Sequence, residues 1–182
     1  MNLCELLQAT DGVLLQGDAR VSVQGLCYDS RAVTPGSLFV CLPGLHTDGH
    51  HYAAQAVAAG AVGLVCERPI LGLPAELPVV QVTHSRRALA QLAIRLYDAP
   101  ARRMTMIGIT GTKGKTTTAH LIASVLRAAG HKVGVIGTNG VCWPGYRQPL
   151  DHTTPESSDL QRLLRQMADA GCDACVMEVS SL

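Results

Sequence analysis

The sequence predicts an α/β fold in two domains, on three observations. Short apolar runs alternate with Ala-rich helical stretches over residues 1–98. After Pro100 the alternation restarts with MTMIGIT, a near-continuous apolar run that fits a parallel strand buried on both faces. A glycine-rich segment, GITGTKGKTTTAH at residues 108–120, then separates that run from a helical pattern. A chain of 182 residues is long enough for two small cores, and the boundary falls near Ala99 to Arg103, giving domains over 1–98 and 103–182.

In the first domain the elements run VQGLCYDS, SLFVCL, YAAQAVAAGA, AVGLVCE and LPVVQV. The segment HSRRALAQLAIRLYDAP closes it as a helix with Leu89, Leu92, Ala93 and Leu96 on one face and Pro100 at its end. In the second, TTTAHLIASVLRAAG is a helix with an apolar stripe through Leu121, Ile122, Val125 and Leu126, stopped by Gly130. KVGVIGT is the next strand, GVIGTNG ends in a tight turn at Asn139-Gly140 that lines the same cleft, and VCWPGYRQPLDH is an exposed loop. TTPESSDLQRLLRQMADAG is a helix with Thr154 as N-cap, Pro155 first and Gly171 last, and CVMEVSS is a further strand. The second domain is thus a P-loop-type, mostly parallel sheet flanked by helices.

A net charge of +1 with 16% charged residues gives no basic footprint for nucleic acid. No apolar run reaches membrane-spanning length and no secretory leader precedes the first element, so the expected setting is the cytoplasm, without nucleic acid or membrane as partner. Seven scattered cysteines fit reduced, packed thiols. Cys172 and Cys175 have the spacing of half a zinc site or a redox pair; the alternative places Cys175 in a buried strand and Cys172 in the turn before it.

A strand running through glycines into a helix that begins Lys-Thr-Thr offers backbone N–H groups and a helix N-terminus to an anionic phosphate. Lys115 would reach the β- and γ-phosphates, and Thr116 or Thr117 would put a hydroxyl on Mg²⁺. The spacing departs from the usual pattern, since Gly108 to Gly114 leaves five residues between, with Gly111 as an interior glycine. Phosphoryl transfer also needs a carboxylate to hold the metal. Glu178, near the C-terminal end of its strand, is either that group or a surface glutamate. Ser30 and Arg31 either hold a uracil or pyrophosphate or form a polar turn, and His46, His50 and His51 crowd one loop as metal ligands or as exposed histidines.

GITGTKGKTT at residues 108–117, TTPE at 153–156 and MEVSS at 177–181 together resemble the Mur ligases of peptidoglycan synthesis, as do YDSR at 28–31, PGSLFV at 35–40 and PGLHTDGH at 43–50. The resemblance runs along the whole chain and is to the member that adds the third amino acid. It implies a small N-terminal α/β UDP-binding domain followed by part of the ATP-binding central domain. The implied activity is an ATP-dependent amide ligase using Mg²⁺, acting on UDP-N-acetylmuramoyl-dipeptide and an amino acid, diaminopimelate in preference to lysine, through an acyl phosphate. The nucleotide loop would be Gly111, Thr112, Lys113, Gly114, Lys115, Thr116 and Thr117, with Lys115 and Glu178 catalytic and Thr116 and Glu178 holding the metal. Tyr28, Ser30, Leu45, His46 and Thr47 would meet the uridine end of the substrate; His152, Thr153, Thr154 and Ser180 would meet the muramoyl-dipeptide end. The chain departs from the family in having Lys113 where asparagine is frequent, Tyr28 where leucine is usual and Leu182 where a histidine follows the serines. Family members continue with a lysine that becomes carbamylated and with a C-terminal domain, so the expectation is a truncated or partial ligase with an exposed sheet edge.

Overall fold

The computed structural model describes residues 1–44 and 47–180, and the chain divides into two units between Leu96 and Tyr97. Leu45, His46 and Leu182, all named above from the sequence, lie outside the described residues.

The first unit contains α1 (Leu3–Leu7), β1 (Val13–Gln16), β2 (Gly25–Cys27), β3 (Ser37–Val40), α2 (Ala53–Ala58), β4 (Gly63–Cys66), β5 (Val79–Gln81) and α3 (Ser85–Leu96). Its sheet has the order β1-β5-β4-β3-β2, with β2 to β5 parallel and β1 antiparallel at one edge. Successive side chains of a strand point to opposite faces, so β3 serves two cores. Leu38 and Val40 pack with Leu3, Leu6, Leu89 and Leu92 of α1 and α3; Phe39 and Cys41 pack with Ala53 and Ala56 of α2. The sequence reading omitted α1, which is too short for periodicity. A capping box starts it, Asn2 accepting from the Glu5 N–H at 2.8 Å while the Glu5 side chain accepts from the Asn2 N–H.

A polar network fixes the end of β4. Asp48 caps a 3-10 turn over Gly49–Tyr52 and accepts from the His50 N–H at 2.9 Å and from its ring Nδ1 at 2.6 Å. His50 Nε2 accepts from the Glu67 N–H at 3.0 Å, which leaves the ring proton on Nδ1. The Glu67 carboxylate then accepts from the Ser85 N–H at 2.8 Å, at the start of α3. His50 is buried rather than exposed, and its ring ties a loop to a strand.

The second unit contains β6 (Thr105–Ile109), α4 (Lys115–Ala128), β7 (Val133–Gly137), β8 (Gly140–Trp143), β9 (Tyr146–Gln148), α5 (Ser157–Asp169) and β10 (Ala174–Glu178). Its sheet has the order β6-β10-β7-β8-β9, parallel across the first three strands and antiparallel beyond. Strand β10, last in sequence, therefore lies between the two strands that α4 connects.

Four local expectations are corrected. Strand β6 is not buried on both faces; it is half-buried to exposed, because among the described residues only β10 pairs with it. On α4 the packed side runs through Ala119, Ile122, Ala123 and Leu126, while Leu121 and Val125 are exposed, because the small alanines let the helix approach the sheet. VCWPGYRQPLDH is not a loop throughout: it supplies β8 and β9, joined by a turn at Pro144-Gly145, with Trp143 and Tyr146 stacked at a centroid distance of 3.9 Å. Thr154 is not the N-cap of α5; Glu156 is, accepting from the Ser157 N–H, because the Thr154 hydroxyl is engaged at the end of β10.

The helix stops are as expected. Gly130 and Gly171 take positive φ after α4 and α5, and the next residues, His131 and Cys172, donate back to Leu126 and Met167. The described residues include all seven cysteines, and none of them is in a disulfide. Cys172 lies in the turn and Cys175 inside β10, and burial pushes the Cys175 thiol up to about 12, which suits a packed apolar group. Among the described residues no helix is long and apolar enough to cross a membrane.

The Asp48 network sets a pH dependence. Burial opposes ionisation of Asp48, but hydrogen bonds from the His50 N–H, the Arg68 guanidinium at 2.5 Å and the His50 ring outweigh it and hold the carboxyl well below its ordinary value of 3.8. A depressed folded-state pKa contributes stability that is present above the ordinary value and lost as pH falls towards the depressed one. Urea midpoints measured from about pH 6 down to about pH 2 should therefore fall more steeply for the native chain than for Asp48→Asn; identical acid limbs would contradict the assignment.

Candidate functional site

The site forms where β6, β10 and β7 end together. Register aligns Ile109 with Glu178, so the chain leaves β6 for the glycine loop directly beside the last residue of β10. Gly111 and Gly114 have φ of +145° and +78°, values that side-chain-bearing residues rarely adopt, and they let the loop turn sharply into α4. Gly114 is the N-cap and supplies no side-chain acceptor, so the first amides of α4 are left for another partner. Thr112, Lys113 and Thr117 are exposed around this turn. Lys115 folds back across the loop, its Nζ donating to the Gly111 carbonyl at 2.8 Å.

Glu178 is only 2% exposed, and the surface-glutamate alternative is thereby removed. Its Oε2 accepts from the Thr116 hydroxyl at 3.0 Å and its Oε1 from the Thr138 N–H at 3.0 Å. The chemistry of this pair, a carboxylate and a hydroxyl converging at the mouth of an anion-ready loop, fits a hard divalent cation such as Mg²⁺, which takes one or two carboxylates together with phosphate oxygens. Thr116, rather than Thr117, is the hydroxyl that faces the carboxylate. A cavity of ≈ 280 Å³ opens beside Glu178, bordered by His120, Gly137, Asn139 and Arg147.

The TTPE segment reaches the same place. The Thr154 hydroxyl donates to the Glu178 carbonyl at 3.0 Å, accepts from the Ser180 N–H at 2.9 Å and lies 2.9 Å from the Ser180 hydroxyl. Thr153 pairs with the Thr138 hydroxyl at 3.2 Å, and His152 beside it in sequence is exposed. Thr116, Thr153, Thr154, Glu178 and Ser180 are thus gathered at one edge of one sheet.

The Ser30 hydroxyl donates to Gln55 of α2 at 3.1 Å, Arg31 is paired with Asp29, Tyr28 packs against the α1/α3 core, and Thr47 is exposed with its carbonyl taken by the Gly44 N–H. Two site-forming residues escaped the sequence reading, Gly137 and Thr138. The GTNG run marked their turn, but one acts by lacking a side chain and the other partly through its backbone amide.

With this geometry in view, comparison with known proteins defines the class. The description "Mur ligase middle domain" matches residues 109–182, and "Mur ligase family, catalytic domain" matches residues 22–97. The chain belongs to the Mur ligase family and carries its N-terminal and middle domains, as the sequence resemblance implied. It is 48% identical over 181 residues to the UDP-N-acetylmuramoyl-L-alanyl-D-glutamate--2,6-diaminopimelate ligase of Geobacillus thermodenitrificans. It is 42% identical over 182 residues to the ligase of the same name from Alkaliphilus metalliredigens. Each match takes in 100% of this chain and 36% of the relative, so the chain spans about a third of the length of these curated relatives. Among solved structures, MurF from Acinetobacter baumannii is 25% identical with a TM-score of 0.70, over 99% of this chain and 36% of that one. A solved UDP-N-acetylmuramoyl-L-alanyl-D-glutamate--2,6-diaminopimelate ligase shares the fold at TM-score 0.76 and 23% identity, again over 99% and 36%.

The fit around Glu178 is tight enough to test. A Cβ on Gly137 would lie 2.1 Å from Glu178 Oε1, whereas one on Gly134 would meet the flexible thioether of Met167 at 2.5 Å. Gly137→Ala should therefore lower stability by about 1–3 kcal/mol in denaturant unfolding, more than Gly134→Ala does; an unchanged midpoint would show that Glu178 is not packed against this turn.

Proposed function

We propose that this chain is the nucleotide- and substrate-binding part of a cytoplasmic, ATP-dependent amide ligase that joins diaminopimelate to UDP-N-acetylmuramoyl-L-alanyl-D-glutamate. The observation that carries the reading is the 3.0 Å approach of Thr116, in the first turn of α4, to Glu178 at the end of β10, beside a glycine loop whose helix has no capping side chain. The names of the curated relatives supply the substrates.

A carboxylate has no leaving group that an amine can displace. The substrate's D-glutamyl carboxylate oxygen therefore attacks the γ-phosphorus of ATP, the bond to the β-phosphate oxygen breaks, and ADP and an acyl phosphate result. The amine of diaminopimelate then adds to the acyl carbon, loses a proton and expels inorganic phosphate, leaving the amide. In this reading the amides of residues 111–117 cradle the phosphates, and Lys115 exchanges the Gly111 carbonyl for phosphate oxygens. Thr116 and Glu178 hold Mg²⁺, which when bound neutralises charge on the transferring phosphoryl group. Thr153, Thr154 and Ser180 present hydroxyls to the muramoyl-dipeptide, with His152 next to them. Tyr28, Ser30 and the loop of Leu45, His46 and Thr47 take the uridine end.

Isothermal titration with Mg·ATP tests the nucleotide site. Lys115→Ala should weaken binding by about ten- to a hundredfold, equivalent to the ~1.5–3 kcal/mol that hydrogen bonds to charged groups contribute, without shifting the melting temperature. Titration with UDP-N-acetylmuramoyl-L-alanyl-D-glutamate should also produce heat. A chain that binds neither compound, or a Lys115→Ala variant that binds Mg·ATP as the native chain does, would contradict the proposal.

A further inference from the structure

Thr138 occupies the two-residue turn between β7 and β8, where Gly137 pairs with Gly140. Its N–H donates to Glu178 Oε1 at 3.0 Å, its hydroxyl donates to Oε2 at 3.3 Å, and the same hydroxyl lies 3.2 Å from that of Thr153. Counting protons gives the chain a direction. An ionised carboxylate only accepts, and a threonine hydroxyl has one proton to give. With the Thr138 proton on Glu178, Thr153 must donate to Thr138, leaving Thr153 only acceptor capacity for anything beyond it. The sequence runs Thr153 to Thr138 to Glu178, joining the segment proposed to meet substrate with the carboxylate proposed to meet metal.

Oε2 is the oxygen in question. It accepts from both Thr116 and Thr138, whereas Oε1 is fixed by a backbone amide. A cation held between Thr116 and Glu178 would require the Thr116 hydroxyl to turn a lone pair towards the metal, ending its donation to Oε2. The Thr138 hydroxyl would then be the side-chain donor still holding that oxygen. Carboxylate ligands are generally oriented by such partners, whose removal typically costs 10–100-fold in metal affinity.

We infer that Thr138 is a positioning residue, which orients the Glu178 carboxylate towards a divalent cation and couples that orientation to Thr153. The inference rests on the nucleotide-and-metal reading above. Its test is Mn²⁺ binding to the 182-residue chain in the presence of ADP, followed by electron paramagnetic resonance, with ADP affinity in EDTA measured alongside. Thr138→Val keeps the shape and the backbone amide but loses the hydroxyl; it should weaken Mn²⁺ binding by about tenfold or more while leaving metal-free ADP affinity unchanged. Thr138→Ser should restore most of the loss, and Thr138→Ala, which places no extra methyl beside the carboxylate, should repeat the valine result. If both hydroxyl-free variants bind Mn²⁺ as the native chain does, or lose metal-free ADP affinity to the same degree, Thr138 is only a turn residue and the inference falls while the nucleotide site stands. If the native chain itself binds neither ADP nor Mn²⁺, the proposed function falls and the inference with it.

Discussion

The structure of the second unit turns on one buried carboxylate. Glu178 is enclosed at the end of a parallel strand, and burying such a group is costly unless its oxygens find donors. Thr116 at the start of α4 and Thr138 in the turn after β7 provide them. Those donors can converge only because β10 lies between β6 and β7, so that the loop leaving one neighbour and the turn leaving the other close over the strand in the middle. The strand order is therefore inseparable from the site. At the edge of the sheet β10 would adjoin at most one of these two strands, and the glycine loop and the turn after β7 could not both reach Glu178.

The same logic explains why glycine is required at particular points. Gly137 leaves room for the carboxylate, and a methyl there would occupy the space of Oε1. Gly114 lets the chain enter α4 in a left-handed conformation without a capping side chain, which preserves the amides of the first turn for a ligand. One glycine makes space for the charge and the other keeps donors available to an opposite charge. The first unit uses burial differently. His50 is consumed in joining Asp48 to Glu67, so a loop that reads as a histidine cluster is held by a structural ring.

Much of this was legible in the residues, and the failures have physical reasons. The Gly-Lys-Thr run announced its strand, loop and helix because each residue type meets a strict backbone or charge requirement. Glu178 was legible as a position but not as a buried group, since burial depends on strand order, and strand order is a long-range property. The hairpin of β8 and β9 was hidden because Pro144-Gly145 signals a turn equally well inside a hairpin and inside a loop; the Trp143–Tyr146 stack that settles the matter acts across strands. Thr154 looked like a cap because threonine before Pro-Glu is a common helix start, yet its hydroxyl is committed to residues 24 and 26 positions away. Thr138 acts partly through its amide, which no reading of residue type can detect. On α4 the expected stripe through Leu121, Ile122, Val125 and Leu126 follows the large apolar residues, whereas close packing against the sheet selects Ala119 and Ala123 beside Ile122 and Leu126.

What meets Thr116 and Glu178 decides the function of the second unit. The most direct measurement is anomalous diffraction from crystals of the chain grown with Mn²⁺ and ADP. The expected result is a metal peak about 2.0–2.2 Å from an oxygen of Thr116 or Glu178, with the β-phosphate lying on the amides of residues 111–117. A metal bound elsewhere, or a nucleotide whose phosphates avoid that loop, would contradict it.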